Sequence, residues 1–323
     1  IYTGSMGMCL SVRDFKRYGS VKRHVMLSQF DENVGALSVY VHNRTKNYYY
    51  GTGPDAWANR DGLCSREEAM EYLDHPNMLG FVTTQHHGID HPKAHSIPLG
   101  MKEALFRIYT GTWLHGQNGI TKPTPKKTQL LMINDSGWQH RAAMSARVIH
   151  NFAEAGYSNM TNTYCRGGAK TKSKDQASSC PASQTQRNHL YMEELARSKF
   201  ILCPSGLGWD SYRIWDALMM MTIPIIERYE RPHDGWRRTF DGLPVLWVEH
   251  VEDITPALLE REYAKIIAKE SQSYQWERLT KNYWFDFIES MAKASPVDAQ
   301  GGTAAQEVVT LALADAGAAT AAA

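Results

Sequence analysis

Cysteine is scarce in this chain: five among 323 residues, at Cys9, Cys64, Cys165, Cys180 and Cys203. None forms a Cys-x-x-Cys pair, which excludes the usual zinc-ligand spacings, and an odd number cannot pair completely. Long apolar runs are also missing. A membrane helix needs roughly 18 uninterrupted apolar residues. The longest apolar run, around WDALMMMTIPII at 215–226, is too short and holds Asp216 and Pro224. Nor is there an excess of one charge. The 35 Lys+Arg meet 34 Asp+Glu, so the net charge is +1, without the basic surplus of a general nucleic-acid binder. With 43% hydrophobic residues the composition is not that of a disordered chain. No internal repeat is evident.

What is present is enough chain for two domains or one large one, each able to bury a core without staples. The sequence opens at Ile1 with no initiator Met or signal pattern, so any targeting or anchor segment is read as lying outside this chain. It closes with the Ala-rich GGTAAQEVVTLALADAGAATAAA from Gly301, read as a tail. Cys165 and Cys180 flank a polar, basic loop. Two readings of them stay open: a disulfide closing a loop of about 15 residues, worth about 3 kcal/mol, or two free thiols. Sequons at Asn43, Asn134 and Asn159 hint at a secretory setting.

Strands are expected at 36–43, 78–85 and 94–101, with a helix at 65–75 that Ser65 and Glu68 would cap. GITKPTPKKT at 119–128 reads as a linker. Beyond it, strands at 129–134, 199–206, 223–228 and 243–250 alternate with helices at 140–156, 188–198, 210–222 and 255–269, and a long aromatic helix follows at 274–294. Strand, turn and helix repeated at this spacing mark βα units and a parallel sheet.

The chemistry concentrates in KFILCPSGLGWDSYRIWDALMMMTIPII, residues 199–226. A buried strand delivers the chain to the carboxyl edge of a parallel sheet, where ligands of such folds bind. Ser205, Gly206, Gly208 and Trp209 occupy the loop; its glycines let backbone approach a ligand, and Trp209 offers a stacking surface. Asp210 or Ser211 caps the next helix, whose free N–H groups and positive dipole end suit phosphate. Arg213 adds a bidentate donor. Asp216 shares its face three residues on and suits sugar hydroxyls such as a ribose. The competing reading is a plain glycine turn with an Arg213–Asp216 surface ion pair.

This segment resembles the nucleotide-sugar-binding motif of exostosin-like glycosyltransferases at Pro204, Gly206, Gly208, Asp210, Arg213, Trp215, Ala217, Leu218, Ile223 and Pro224. The resemblance continues through HPKAHSIPLGM (91–101), LPVLWVEHVEDITPALLE (243–260) and ERLTKNYW (277–284), in family order over 78–290. It implies an α/β, GT-B-like fold: two Rossmann-like domains with parallel sheets facing a cleft. Residues 1–125 would form the acceptor-side domain, 126–295 the nucleotide-sugar-binding domain and 296–323 the tail. It implies transfer from a nucleotide diphosphate-sugar to a glycan or glycoprotein hydroxyl, with inversion, no metal and no cofactor beyond the donor. There is no Asp-x-Asp, the motif by which the metal-dependent alternative fold holds its donor. The leaving charge would fall to Arg213, helix N–H groups and a Lys. Nucleic acid is not an expected partner. The Golgi or secretory lumen is the expected location, the cytoplasm the alternative. Two positions depart from the family pattern. Its Glu is Asp216, and its Gly before Ile-Pro is Met221, which would put bulk at the sheet edge beside the donor pocket. These departures keep a second hypothesis open, a non-catalytic nucleotide-sugar or glycan-binding relative. A Rossmann oxidoreductase is disfavoured because Ser211 stands where its third glycine belongs.

Inverting transfer needs a base for the acceptor hydroxyl. His86, His87 and Asp90, in the loop after the expected strand, are the catalytic candidates, with His42 and Glu103 further options. His87, His91 and His95 recur every four residues, but Gly88 and Pro92 interrupt any helix that would align them, so no metal site is expected. Trp215, Trp236, Tyr283 and Trp284 read as packing; Arg231 or Arg237 could reach an anionic donor.

Overall fold

Two all-parallel sheets organise the chain. In the first, β1 (Tyr2–Thr3), β2 (His24–Ser28), β3 (Met78–Thr83) and β4 (Ala94–Ser96) lie side by side in that order. The second has β5 (Gln129–Ile133), β6 (Met160–Asn162), β7 (Ser198–Leu202), β8 (Ile223–Glu227) and β9 (Leu246–Val248), in the order β6-β5-β7-β8-β9. The computed structural model describes residues 2–3, 23–28, 66–84, 91–115, 125–134, 139–162, 183–204, 210–228 and 235–293. The mixed α/β class with parallel sheets is therefore as the sequence led us to expect. The strand at 36–43 and the Cys165–Cys180 loop lie outside the described residues.

The helices are α1 (Arg66–Asp74), α2 (Glu103–Tyr109), α3 (Gln139–Glu154), α4 (Gln184–Arg197), α5 (Tyr212–Met219), α6 (Pro256–Ala268) and α7 (Lys281–Lys293). Their ends follow local chemistry. Ser183 Oγ accepts from Gln186 N at the start of α4, and Thr255 Oγ1 accepts from Leu258 N with Pro256 in the first turn of α6, where the missing proline N–H costs nothing. Gly156, at φ +64°, ends α3. The expected long helix at 274–294 is divided: a 3-10 turn at Trp276–Leu279 precedes α7, and the Trp284 indole donates to Arg278 O across the break.

Alternation along the second sheet builds two cores. Met132, Ile201 and Cys203 pack with Met192, Leu195, Trp215 and Leu218 on one face, whereas Leu131, Phe200, Leu202 and Ile225 pack with Val148, Phe152 and Leu259 on the other.

The chain also crosses between the sheets. After β4, α2 packs against α4, and Leu105 buries itself beside Met192 and Leu195. At the other end, α7 returns to pack on β2 and β3. Its Met291 comes so close that a Cβ on Gly80 would sit 2.6 Å from the sulfur, and His95 meets Phe287 edge-on at 5.3 Å. The end of the expected linker is bonded: Lys127 Nζ donates to Met220 O and Thr222 Oγ1, and Thr128 N to Arg197 O. Residues 294–323 lie outside the described residues.

Candidate functional site

The strand order of the second sheet marks a place for a ligand. From β5 the chain moves to β6 on one side, then returns to β7, β8 and β9 on the other. Diverging connections leave a crevice at the carboxyl ends of the two strands at that switch point. One of them, β7, runs out through buried Cys203 and Pro204 towards the glycine loop. Ser205, Gly206, Gly208 and Trp209 lie outside the described residues, as do His42, His86, His87 and Asp90. The chain is described again from Asp210, and α5 begins two residues later.

Asp210 is buried and fully engaged. Oδ1 accepts from the Trp215 indole and Oδ2 from Leu99 N, both at 2.7 Å. Burial pushes its carboxyl up to about 7, against the opposing pull of those donors. It therefore fastens the 91–101 element, which leaves the first sheet, to the glycine-loop motif. Ser211 holds the N-cap position in extended conformation, φ −129°. Its hydroxyl makes no capping bond, and Oγ is buried without a partner among the described residues. The first turn of α5 thus keeps its N–H groups free of that cap.

Asp216 is 3% exposed. Tyr191, on α4, donates its hydroxyl to Oδ2 at 3.2 Å. Oδ1 is buried with no hydrogen-bond partner among the described residues. Burial raises this carboxyl to about 7, while Tyr191, Arg213 and Lys102 pull the other way. Burial, reinforced by Asp216, pushes Tyr191 well above the usual phenol range, and burial lifts the neighbouring Cys203 thiol to about 12. A thiol held so far from ionisation is no nucleophile.

Two cations flank the carboxyl. Arg213, half-buried, lies one helical turn before it. Lys102 is exposed, just ahead of α2, with its Nζ 5.0 Å from the centre of the Tyr212 ring. Among the described residues, neither the guanidinium nor the ammonium forms a hydrogen bond or ion pair. The bland alternative, an Arg213–Asp216 surface ion pair, is therefore absent. Two cations and a carboxylate oxygen without a donor among the described residues, at the start of α5, form a polar site suited to a ligand with anionic and hydroxyl groups.

The structure brings Asp210, Ser211, Arg213 and Asp216 together and adds two residues that sequence reasoning did not name. Lys102 directly follows the Ile-Pro-Leu-Gly-Met run, and Tyr191 supplies a polar group on an otherwise apolar helix face. Glu103 points elsewhere: it is exposed and paired with Arg107 at 2.5 Å. His91 is buried between Asp74, at 3.1 Å from Nε2, and the Lys93 N–H that donates to Nδ1. Trp215 stacks on Phe240, with Trp236 edge-on to that ring, so both pack as expected. Arg237 lies over the Trp247 ring at 5.0 Å. Met221 is a correction. It is 52% exposed just beyond the C-terminal end of α5, whereas Arg213 sits at the other end. Its side chain puts no bulk beside Arg213 or the start of α5.

Residues 158–294 match the family model of the RXYLT1 C-terminal domain, an exostosin-like xylosyltransferase family. The match spans the glycine-loop motif, α5 and every element after it. Among curated proteins no relative matches. Similar solved structures include the glycotransferase of kitacinnamycin, at 10% identity and a TM-score of 0.41, covering 91% of this chain and 75% of that one. Another is an α-glucosyltransferase in complex with UDP and a 13-mer DNA containing a central A:G mismatch, at 12% identity and a TM-score of 0.35, covering 86% of this chain and 83% of that one.

Proposed function

We propose that this chain, matched over residues 158–294 to an exostosin-like xylosyltransferase family, is a glycosyltransferase of GT-B type. It moves a sugar from a nucleotide diphosphate donor to a glycan or glycoprotein hydroxyl, with inversion and without a metal. One observation carries the reading: among the described residues, Asp216 Oδ1 is buried without a donor and Arg213 has no ion pair, on the helix that follows β7 from the sheet's switch point. Burying an acceptor unsatisfied costs about 1–3 kcal/mol, and donor hydroxyls remove that cost when the ligand binds. A ribose hydroxyl fits Asp216, and the diphosphate fits Arg213 and the start of α5. As the bond from the sugar to the diphosphate breaks, charge grows on the departing phosphate, where fixed cations and N–H groups are most effective. A base on the first-sheet side takes the acceptor proton, and His86, His87 and Asp90, which come after β3 in sequence, are its candidates. The family match and the three sequons support a secretory-lumen location. No described helix is long and apolar enough to cross a membrane.

The test is donor turnover. The protein is incubated with a panel of nucleotide sugars, activated xylose first, and a mixed glycan acceptor pool. Free nucleoside diphosphate and glycosylated acceptor are both measured. One donor should release diphosphate, Arg213→Ala should abolish release, and a chelator should leave it intact. Absence of release with every donor rejects the enzyme reading, while binding without turnover supports the non-catalytic relative. The anomeric configuration of the product, read by NMR, decides inversion.

A further inference from the structure

The donor reading above names Arg213 and leaves its lysine unassigned. Lys102 belongs to a different element and reaches the site only through the fold. It lies 111 residues upstream of Arg213 in the sequence, in the segment that runs from β4 into α2. The bond from Leu99 N to Asp210 Oδ2 at 2.7 Å fixes that segment against the start of α5. Three residues on, Lys102 Nζ hangs 5.0 Å from the ring centre of Tyr212, the first residue of α5. Its charge and its backbone N–H both act on the Asp216 carboxyl. It makes no ion pair there, and among the described residues the ammonium has no hydrogen bond. Buried Asp216 Oδ1 is likewise without a donor. The lysine is therefore held beside a carboxylate that does not neutralise it, at the helix end that attracts anions.

We propose that Lys102 is the second cation of the nucleoside diphosphate site, supplied by the first-sheet side to the phosphate that leaves. It rests on the donor reading above. Arg213 binds the diphosphate from the helix, and Lys102 closes over it from the opposite segment. Two separately anchored cations match a group with two charged phosphates better than one guanidinium does. Because the Leu99–Asp210 bond carries Lys102 into place, the diphosphate joins the two sequence elements that the family resemblance had joined only in order.

The experiment measures binding by calorimetry, with UDP, GDP and CDP and the corresponding nucleosides as probes, to wild type, Lys102→Met, Lys102→Arg and Arg213→Ala. For the diphosphate that wild type binds, Lys102→Met should weaken affinity about tenfold, the scale of one charge-assisted contact. Lys102→Arg should restore most of it, and affinity for the bare nucleoside should not change. The loss should shrink at high salt, since the ammonium is exposed. Lys102→Met binding the diphosphate as wild type does would overturn the proposal while leaving the donor reading intact. Equal losses for diphosphate and nucleoside would also overturn it, because a positional defect spares neither. If wild type binds no nucleoside diphosphate, the donor reading falls, and the Lys102 proposal falls with it.

Discussion

Asp210 and Asp216 stand on the same motif and are both buried, yet their surroundings assign them different roles. Asp210 has a donor on each oxygen and serves as a fastening. Asp216 has one oxygen held by Tyr191 and one without a donor among the described residues, the acceptor that the proposed ribose would meet. Since its carboxyl is raised to about 7 by burial, only the fraction ionised near neutrality accepts strongly from ribose hydroxyls. Nucleoside diphosphate affinity should therefore rise about three- to tenfold from pH 6 to pH 8, as one titrating group allows. Asp216→Asn should flatten the rise. Tyr191→Phe should move its midpoint upward, because the phenol hydroxyl favours the ionised form. Calorimetric titration across that range checks both; a midpoint unmoved in Tyr191→Phe would detach the tyrosine from the acceptor. Of these residues, Arg213 and Asp216 were legible in sequence because residues three apart share a helix face. Tyr191 was not, because the pairing depends on how α4 packs against α5, which no local spacing encodes.

At the scale of elements, α5 shows how a departure from a family pattern can be misread from sequence. Met221 takes the position that the exostosin-like pattern of the sequence resemblance gives to Gly. The structure shows why Gly suits it: φ is +55°, the left-handed conformation that closes a helix. A Cβ in that region costs about 1–2 kcal/mol, partly offset by the greater freedom Gly has when unfolded. Met221→Gly should stabilise the protein by about 0.5–1 kcal/mol, read as a higher urea midpoint. Turnover should not change, since α5 is about 12 Å long and Arg213 lies at its far end. Lys127 caps the same helix end through Met220 O. From sequence it belonged to a polar linker, because a lone lysine among Pro, Thr and Lys carries no sign that its ammonium will meet helix carbonyls. The strands and helices of the second sheet were legible for the opposite reason: their apolar alternation and capping residues are local signals.

At the scale of the whole molecule, the parallel α/β architecture was legible, and the crossings of α2 and α7 were not, since each is amphipathic and nothing in its sequence says which sheet it covers. The same assembly buries Asp210 and Asp216 at the site and half-buries Lys127 at the far end of α5, and these groups shape stability against pH. Asp210 and Asp216 have native pKa values near 7, above their ordinary 3.8. Between about pH 4 and 7 the native state therefore holds more protons than the unfolded chain, and their contribution to stability falls as pH rises. Lys127 is lowered by burial from 10.5 to about 7. Above pH 7 the unfolded lysine keeps a proton that the native one has lost, so its contribution rises towards pH 10.5. The two effects predict a shallow minimum of stability near neutrality. Urea unfolding at half-unit steps from pH 5 to 9 should reveal it. Asp216→Asn should flatten the acid limb and Lys127→Met the alkaline one. A monotonic rise through neutrality in wild type would contradict the burial of the two aspartates. A bound nucleoside diphosphate should fill the minimum, because its hydroxyls favour ionised Asp216 and its phosphates engage Arg213 where the empty site is weakest. Its stabilisation should thus be larger at pH 7.5 than at pH 5.5, tying the acid limb of the profile to the proposed ligand.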